Sequence, residues 1–581
     1  MPTLIRHPAS PRLPALPVLE MSVEGLVLLA SAYWALSANT AFFRAALTGR
    51  EFADPAAWGL AAALLLALVA LHVLLLGLVV QRQGVKPVLA LLIFATAVGS
   101  HFITTYGVYL DPSMLRNALH THPGEARELF NMPMAWHLLL YAGLPMLLLW
   151  RVRLRPGPRS WWRATLLRLA WLGLSLALLL GAVLAVFQPL SSLMRNHKEL
   201  RYLVTPANMV WSVGAVVAAD LKGAAKPREP IGLDVRQGPS WAVARKPRVV
   251  LVVVGETARA ANWGLDGYSR QTTPLLAQRL LDQPAGPGGL VNFGNVSACG
   301  TNTETSLPCM FAPVGRRHYD EGRIRGQQSL LNVAARAGVA VHWRDNQSGC
   351  KGLCDNLPSD TVTAQSAPGL CTDGQCLDEG LIADLPQRLL DAAKAGPGTQ
   401  LWVLHMLGNH GPAYHRRVPP AFARFQPACT SDDLRQCTTA QIVNAYDNAL
   451  LYTDHVLARA IAMLQAEAGT IDSALIYVSD HGESLGEHGL FLHGLPYAIA
   501  PDVQTKVPMV AWLSPGMDAA VGLQPGCLRP ALERQARQPL AHDHLFHTVL
   551  GLLDLQTALH APDWDLTTPC RAGAVMAAAP R

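Results

Sequence analysis

The run RVVLVVVGET, residues 248–257, decides how the larger part of the chain is read. Six apolar residues in a row, Val249–Val254, describe a strand buried on both faces, as in a parallel sheet. The strand runs straight into Gly255-Glu256-Thr257, which leaves a carboxylate at its carboxyl end. The pattern recurs downstream. Ala340–Trp343 is a second short apolar run, Leu401–Met406 leads to Gly408-Asn409-His410-Gly411, and Ala474–Val478 leads to Asp480-His481-Gly482-Glu483. Helical segments such as Thr439–Gln465 lie between them. The alternation predicts an α/β domain over residues 248–581 with a largely parallel sheet covered on both faces. Ligands of open α/β sheets bind outside the carboxyl ends of the strands, so these polar clusters are expected to converge on one site.

The rest of the chain is of another kind. The 581 residues carry 47 Lys+Arg and 41 Asp+Glu, a formal net charge of +6, and half of them are hydrophobic. Only 15% are charged, where a soluble domain has about 25%. That excludes an ordinary soluble protein, and the hydrophobicity excludes a disordered one. Residues 1–190 hold 14 basic and 7 acidic residues, against 33 and 34 in residues 191–581. The excess base is therefore no nucleic-acid patch on the larger part, and no nucleic-acid partner is expected.

Five apolar stretches fall in the first part: Val23 to Leu47, Trp58 to Val80, Leu89 to Ile103, Met134 to Trp150 and Leu166 to Phe187. A span needs ~20 apolar residues to cross ~30 Å of hydrocarbon. The second stretch meets this without a charge; the third and fourth are shorter and carry His101, His137 and Pro145. Four spans follow the first stretch and no small-residue cleavage site is visible, so it is read as a span rather than a signal peptide. Arg6 and Arg12, Arg82 and Lys86, and Arg151, Arg153, Arg155, Arg159 and Arg163 all fall on one side if the N-terminus is cytoplasmic. Everything after about Gln188 then lies across the membrane. Three parts are expected: a transmembrane domain at 1–188, a connector at 189–247, loosest at KGAAKPREP (222–230), and a catalytic domain at 248–581.

All ten cysteines lie beyond the fifth span. An even number confined to an exported part reads as disulfides. Sequence alone does not fix the pairing; local spacing suggests 299–309, 350–354, 371–376 and 429–437, which leaves 527–570. A structural zinc on four cysteines is the alternative, with 350–354 and 371–376 inside the looser ligand spacing.

Glu256, Asp480 and His481 offer two carboxylates and an imidazole, a donor set suited to zinc or manganese. A lone acid at a strand end is more often a cap or an ion-pair partner; the combination carries the signal. Two nucleophiles compete. Gly482-Glu483-Ser484-Leu485-Gly486 matches G-x-S-x-G after a strand, with Asp543 and His544 or His547 as partners. The other is the hydroxyl-rich loop from Cys299 to Cys309, which a disulfide at its ends would hold in place. His542-Asp543-His544 and His547 run into LFHTVLGLL, a core-like helix where structural roles are expected. His318, His342, His415 and His455 show no partner pattern, and His488 stays open.

The segments VVVGETARAANWGLDGYSRQTTP (252–274), ACGTNTETSLPCMF (298–311), RDNQSGCKGLCD (344–355), HMLGNHGPAY (405–414) and SDHGESLGEHGLFLHGLPYAIAP (479–501) resemble the phosphoethanolamine transferases of Gram-negative inner membranes. The lipid A-modifying members of that family confer polymyxin resistance. The resemblance covers nearly the whole chain, including the spans and the connector RNHKELRYLVTPAN (195–208). It implies five transmembrane helices, a sulfatase/alkaline-phosphatase-like periplasmic domain and an inner-membrane location; a monomer is expected, although no residue pattern fixes the oligomeric state. Its zinc ligands match Glu256, Asp480 and His481, with Thr303 as nucleophile and fourth ligand. Lys351, His410 and His493 match residues around the phosphate or a second zinc, with Glu483 beside them. Gln347 stands where some relatives have Asn and matches a head-group contact; Cys350 and Cys354 form a pair only some members carry. Asn117, Thr121 and Glu125 match a head-group position, and their i, i+4, i+8 spacing would put them on one helix face despite Pro123.

The resemblance implies transfer of phosphoethanolamine from phosphatidylethanolamine to Thr303 and then to an acceptor, a lipid A phosphate. Lipopolysaccharide core or a periplasmic glycan as acceptor, and a phosphoglycerol transferase or phosphodiesterase reaction, remain alternatives. So do a serine hydrolase using Ser484 and a membrane sensor that binds metal and phosphate without turnover.

Overall fold

The computed structural model describes residues 19–571 apart from 52, 122, 159, 225–226, 373 and 395–397, with backbone alone at 123–125, 222–224 and 392–393. Arg6, Arg12 and Arg159 lie outside the described residues, as do residues 225–226 of the segment expected to be loosest. The described residues divide into two compact units, one of those up to 104 with 132–209 and one of 105–131 with those from 210 onward.

The first unit is helical. Pro55–Val79, Val85–Tyr106, Met132–Arg151 and Trp161–Ala185 are long and apolar enough to cross a membrane. The first apolar stretch forms two helices, Val23–Ser37 and Thr40–Ala46, bent by 57° at the junction, so among the described residues four helices are long and apolar enough to span, or five if the pair is one. Asn39 explains the bend. Its buried amide donates to Trp34 O at 2.9 Å and Thr205 O at 2.8 Å, and its Oδ1 accepts from Thr205 N. These bonds tie the junction of the two helices to the segment at Thr205. Within Met132–Arg151 the turn widens to a π-helix over Leu139–Gly143 just before Pro145, which has no N–H to give to the ladder. Pro55–Val79 packs along Trp161–Ala185, and Arg168 caps it by donating to Gly77 O, Leu78 O and Val80 O. Leu166, Leu167, Leu169 and Leu184 stay exposed on the outer face of their helix, as a lipid-facing surface requires.

The second unit is built on an eight-stranded sheet. Its strands are β1 (Arg248–Gly255), β2 (Gly289–Ser297), β3 (Ala340–Asp345), β4 (Ser359–Thr361), β5 (Thr399–His405), β6 (Asp472–Ser479), β7 (Lys506–Leu513) and β8 (Leu540–Ala541). The order is β8-β2-β7-β6-β1-β5-β3-β4, and only β7 runs against the rest. β1 is central and wholly buried, as its unbroken apolar run predicts. Each buried Val or Leu there contributes roughly 1.5–3 kcal/mol before chain entropy is counted. β1, β3, β5 and β6 match the four expected strands, lengthened by one or two residues at some ends. β2 and β7 escape the sequence pattern. β2 carries Asn292, Gly294 and Asn295, and β7 carries Pro508, where the register against β2 shifts between Val507 and Met509. The helix Thr439–Ala466 starts on a capping box of Thr438 and Gln441, one residue longer at its end than expected.

The five disulfides are 299–309, 350–354, 371–376, 429–437 and 527–570, the pairing that local spacing suggests. The four-cysteine zinc alternative is thereby excluded. One expectation is corrected. Residues 117–125 are not one helix: Pro112–Leu119 ends at His120, and a second helix, Pro123–Leu129, begins at the proline. Asn117 and Thr121 therefore do not share a continuous helix face with Glu125. Thr121 Oγ1 instead donates back to Asn117 O at 2.8 Å; the side chain of Glu125 lies outside the described residues.

Candidate active site

β1, β5 and β6 lie side by side and parallel, so their carboxyl ends bring Glu256, the Gly408–His410 turn and Asp480-His481 together although they are far apart in sequence. The approach is close. A Cβ on Gly408, at φ +52°, would stand 2.7 Å from Glu256 O and 2.9 Å from Glu256 N, so only glycine fits. Three non-glycine residues beside the site, Thr257, Lys351 and Leu492, also hold left-handed backbone, at φ 54°, 49° and 61°. Such conformations cluster where a site dictates them.

Donor atoms of Glu256, Asp480 and His481 all lie within 4.8 Å of one another, and all three residues are fully buried. His481 Nε2 is 3.4 Å from Glu256 Oε1 and 3.3 Å from Asp480 Oδ2. Its Nδ1 is paired with Gly482 O at 2.9 Å, which turns Nε2 toward the carboxylates. Asp480 Oδ1 accepts from Thr257 N and His481 N. Its Oδ2 accepts no hydrogen bond among the described residues. Burial raises the Asp480 carboxyl above its ordinary range, and burial followed by the charge of His493 pushes His481 well below the imidazole range. Two buried carboxylates, a neutral imidazole and a nearby hydroxyl are a donor set that a divalent cation completes.

The hydroxyl belongs to Thr303, the first residue of the helix Thr303–Met310. Its Oγ1 donates to Glu256 Oε2 at 3.0 Å and lies 3.4 Å from His481 Nε2. Asn302 caps the helix by accepting from Thr305 N at 2.9 Å, and the helix's positive end faces the site. Gln347 Nε2 donates to the same Glu256 oxygen at 3.1 Å. Lys351 Nζ donates to Ser348 Oγ at 2.7 Å and stands 3.8 Å from Glu304 Oε2.

The remaining histidines close one side. The ring of His493 lies 4.4 Å from that of His481 and 5.5 Å from that of His410. His493 Nδ1 meets Glu483 Oε2 at 2.8 Å, and Tyr414 OH donates to Glu483 Oε1 at 2.6 Å. Burial, then the Glu483 charge, raises the Tyr414 phenol well above its usual range, so it stays a donor. Burial, then the charge of His493, holds His410 well below the imidazole range.

Ser484 does not form a hydrolase elbow. It begins a two-residue strand paired with Phe491–Leu492, and its Oγ accepts from Gln504 at 2.9 Å. Asp543 accepts from Arg317 N, and His544 bonds to Ala541. His542 is structural, as expected: Nδ1 accepts from Cys299 N at 3.0 Å and Nε2 meets Ser479 O at 2.9 Å.

Several supporting residues carry no signal in the sequence. Asp378 is buried and accepts from Asn346 Nδ2, Leu407 N and Gly408 N, each at 2.8 Å, fixing the turn that presses on Glu256. Glu304, 2% exposed, pairs with Arg325 at 3.0 Å. Asp345 meets His405 at 2.9 Å. Burial opposes its ionisation, but the charge and hydrogen bond of His405, with donors from Trp343 and Gly349, bring it down to about 2.

Comparison with known proteins gives the arrangement its family. Residues 248–555 match the Sulfatase family, and residues 68–221 match the family described as Phosphoethanolamine transferase EptA/EptB. The chain is 37% identical over 490 residues to Phosphoethanolamine transferase EptA of Escherichia coli (strain K12), covering 84% of this chain and 86% of the relative. It is 37% identical over 547 residues to Phosphatidylethanolamine transferase Mcr-1 of Escherichia coli, covering 92% and 96%. The structure of the integral membrane protein lipooligosaccharide phosphoethanolamine transferase A (EptA) from Neisseria meningitidis superposes with a TM-score of 0.86 at 35% identity, over 95% of this chain and 99% of that one. Apolar helices joined to a sulfatase-type domain, with Thr303 beside a buried carboxylate–imidazole cluster, agree with these matches: the chain belongs to the phosphoethanolamine transferases.

Proposed function

We propose that this enzyme moves phosphoethanolamine from phosphatidylethanolamine to a lipid A phosphate through a covalent intermediate on Thr303. The observation that carries the reading is the Thr303 hydroxyl, fixed at a helix N-terminus and hydrogen-bonded to Glu256 inside the carboxylate–imidazole cluster. Relatives support the acceptor only as a class: two are named Kdo(2)-lipid A phosphoethanolamine 7''-transferase, from Escherichia coli and Salmonella typhimurium, which points to a lipid A-type molecule, while the phosphate as acceptor group rests on the family resemblance.

Glu256, Asp480, His481 and Thr303 are the residues that would hold a zinc ion, which when bound lowers the pKa of a ligated oxygen and offsets phosphoryl charge. Thr303 Oγ1 passes its proton to Glu256 Oε2, its hydrogen-bond partner, as it attacks the phosphorus of phosphatidylethanolamine, and the bond from phosphorus to the glycerol oxygen breaks. His493 gives its Nε2 proton to that oxygen, releasing diacylglycerol; Glu483 at Nδ1 stabilises the imidazolium form. Lys351 offsets charge on the phosphoryl oxygens. His410, held neutral by burial, donates a hydrogen bond rather than a proton. An oxygen of the acceptor phosphate then attacks the same phosphorus and gives its proton to His493, the bond to Thr303 breaks, and the Thr303 oxygen takes its proton back from Glu256. Gln347 orients Glu256 and, with Asn117, Thr121 and Glu125, serves the lipid head group.

In this reading residues 1–188 are the inner-membrane domain, 189–247 the connector and 248–581 a periplasmic catalytic domain, and the enzyme works as a monomer. Five disulfides beyond the last span support an oxidising compartment for that domain. The test is release of labelled diacylglycerol from phosphatidylethanolamine by wild type, Thr303→Ala and Ser484→Ala, with and without a zinc chelator. Loss with Thr303→Ala and with chelator, but not with Ser484→Ala, is expected. Turnover indifferent to Thr303 and to chelator would refute the reading.

A further inference from the structure

A second buried polar group lies outside the cluster at Thr303. Glu128, on the short helix Pro123–Leu129, and Arg417, beyond His410, form an ion pair at 2.6 Å with 2% of each side chain exposed. Gln375 closes a triangle with them: Arg417 Nη1 donates to Gln375 Oε1 at 2.8 Å, and Gln375 Nε2 donates to Glu128 Oε1 at 2.8 Å. Arg417 Nε also donates to His410 O at 3.3 Å. Gln375 stands on a two-stranded hairpin, Cys371–Thr372 with Gln375–Cys376, that a disulfide crosslinks.

The same segment, 105–131, is fastened at a second point. Ser113 Oγ lies 2.8 Å from Thr305 Oγ1 and accepts from Asn302 Nδ2 at 2.9 Å. Asn302 is the residue that caps the helix beginning at Thr303. One of these attachments therefore sits on the nucleophile's helix and one on the turn of His410; Arg116 with Glu321 and His120 with Glu304, each at 3.4 Å, hold the stretch between them. Asn117 and Thr121 lie between the two.

We propose that Glu128, Arg417 and Gln375 are positioning residues: a buried latch that sets the segment carrying Asn117 and Thr121 against Thr303 and His410. The proposal rests on the transfer reading above. Two buried charges add little net stability, because desolvation offsets their attraction. What they add is a geometry. Each donor and acceptor of the triangle has one place to go, whereas an apolar contact would let the segment slide. Removing either charge leaves the other buried and unmatched, so the segment is expected to lift.

The test uses the full-length enzyme in vesicles containing phosphatidylethanolamine. KM for that lipid and kcat are measured for wild type, Glu128→Ala, Arg417→Ala, the double variant and Gln375→Leu, together with amide exchange over residues 112–129. Each charge variant is expected to raise KM by about tenfold or more while changing kcat far less. The double variant should be no worse than the worse single one, because both report one interaction. Exchange at 112–129 should quicken while that in β1 and β5 stays unchanged. A merely structural role would reduce the amount of folded enzyme and leave KM alone. Unchanged KM, multiplicative losses in the double variant, or unchanged exchange would overturn the proposal. Should the charge variants fail to fold, Gln375→Leu, which removes only the neutral member, decides by the same criteria. Turnover surviving Thr303→Ala would instead refute the transfer reading, and the exchange data would still judge the latch.

Discussion

Thr303 Oγ1 and Glu256 Oε2 are 3.0 Å apart, joining the first turn of a helix to the end of a central strand 47 residues earlier. The backbone of Glu256 is held in turn by the close approach of Gly408, and its carboxylate accepts from Gln347 Nε2 at 3.1 Å. Gly408→Ala is expected to displace Glu256 and lower kcat by about 10²-fold, the scale of a misplacement near 1 Å. Turnover by the purified variant checks this; wild-type activity would contradict it.

Metal dependence follows from the same cluster. Asp480→Asn and His481→Ala each remove one donor from a set whose atoms lie within 4.8 Å of one another. Elemental analysis of the purified protein is expected to find zinc in wild type and little in either variant, with activity lost in parallel. Full zinc content in both variants would place the metal elsewhere.

How far the sequence discloses this site depends on where each residue stands. The ends of β1, β5 and β6 are legible because strands buried on both faces appear as unbroken apolar runs, and parallel neighbours must bring their carboxyl ends together. Thr303 is a different case: it stands on a helix rather than at a strand end, and only the family resemblance singles it out from Thr301 and Thr305. Asp378 and Glu128 are beyond reach. Their partners are Gly408, 30 residues on, and Arg417, 289 residues on, and no local pattern encodes such pairings. β7 is hidden by Pro508 in mid-strand, and β2 by its polar residues.

His493 is expected to matter more than the carboxylate behind it. His493→Ala should lower kcat by about 10²–10⁴-fold, the range for loss of a general acid. Glu483→Gln keeps a hydrogen-bond partner for Nδ1 and should cost less. Steady-state release of diacylglycerol measures both, and the opposite ranking would remove His493 from its role.

Stability should depend on pH through His542. Burial depresses its imidazole to about 4, and protonation would also break the bond that Nδ1 accepts from Cys299 N. The unfolded chain then binds more protons between about 4 and the ordinary value near 6.5, so stability rises with pH across that window and is lost as pH falls through it. Thermal unfolding from pH 4 to 7 should show this slope, and His542→Asn should lessen it by one group's share, since burial depresses His547 to about 4 as well and holds His410 and His481 low. An unchanged slope would mean that another group is responsible.

The disulfide between Cys299 and Cys309 encloses Thr303. Replacing both cysteines with alanine is expected to lower the stability of the catalytic domain by about 2–4 kcal/mol. Denaturant unfolding of the purified enzyme tests it, and an unchanged midpoint would contradict it.

The central claim is the covalent intermediate, and peptide mass spectrometry tests it most directly. Enzyme mixed with phosphatidylethanolamine and no acceptor, then quenched and digested, is predicted to carry one added phosphoethanolamine group on Thr303, removed when acceptor is supplied. Diacylglycerol release with no such group on Thr303, or with the group on Ser484, would contradict the account.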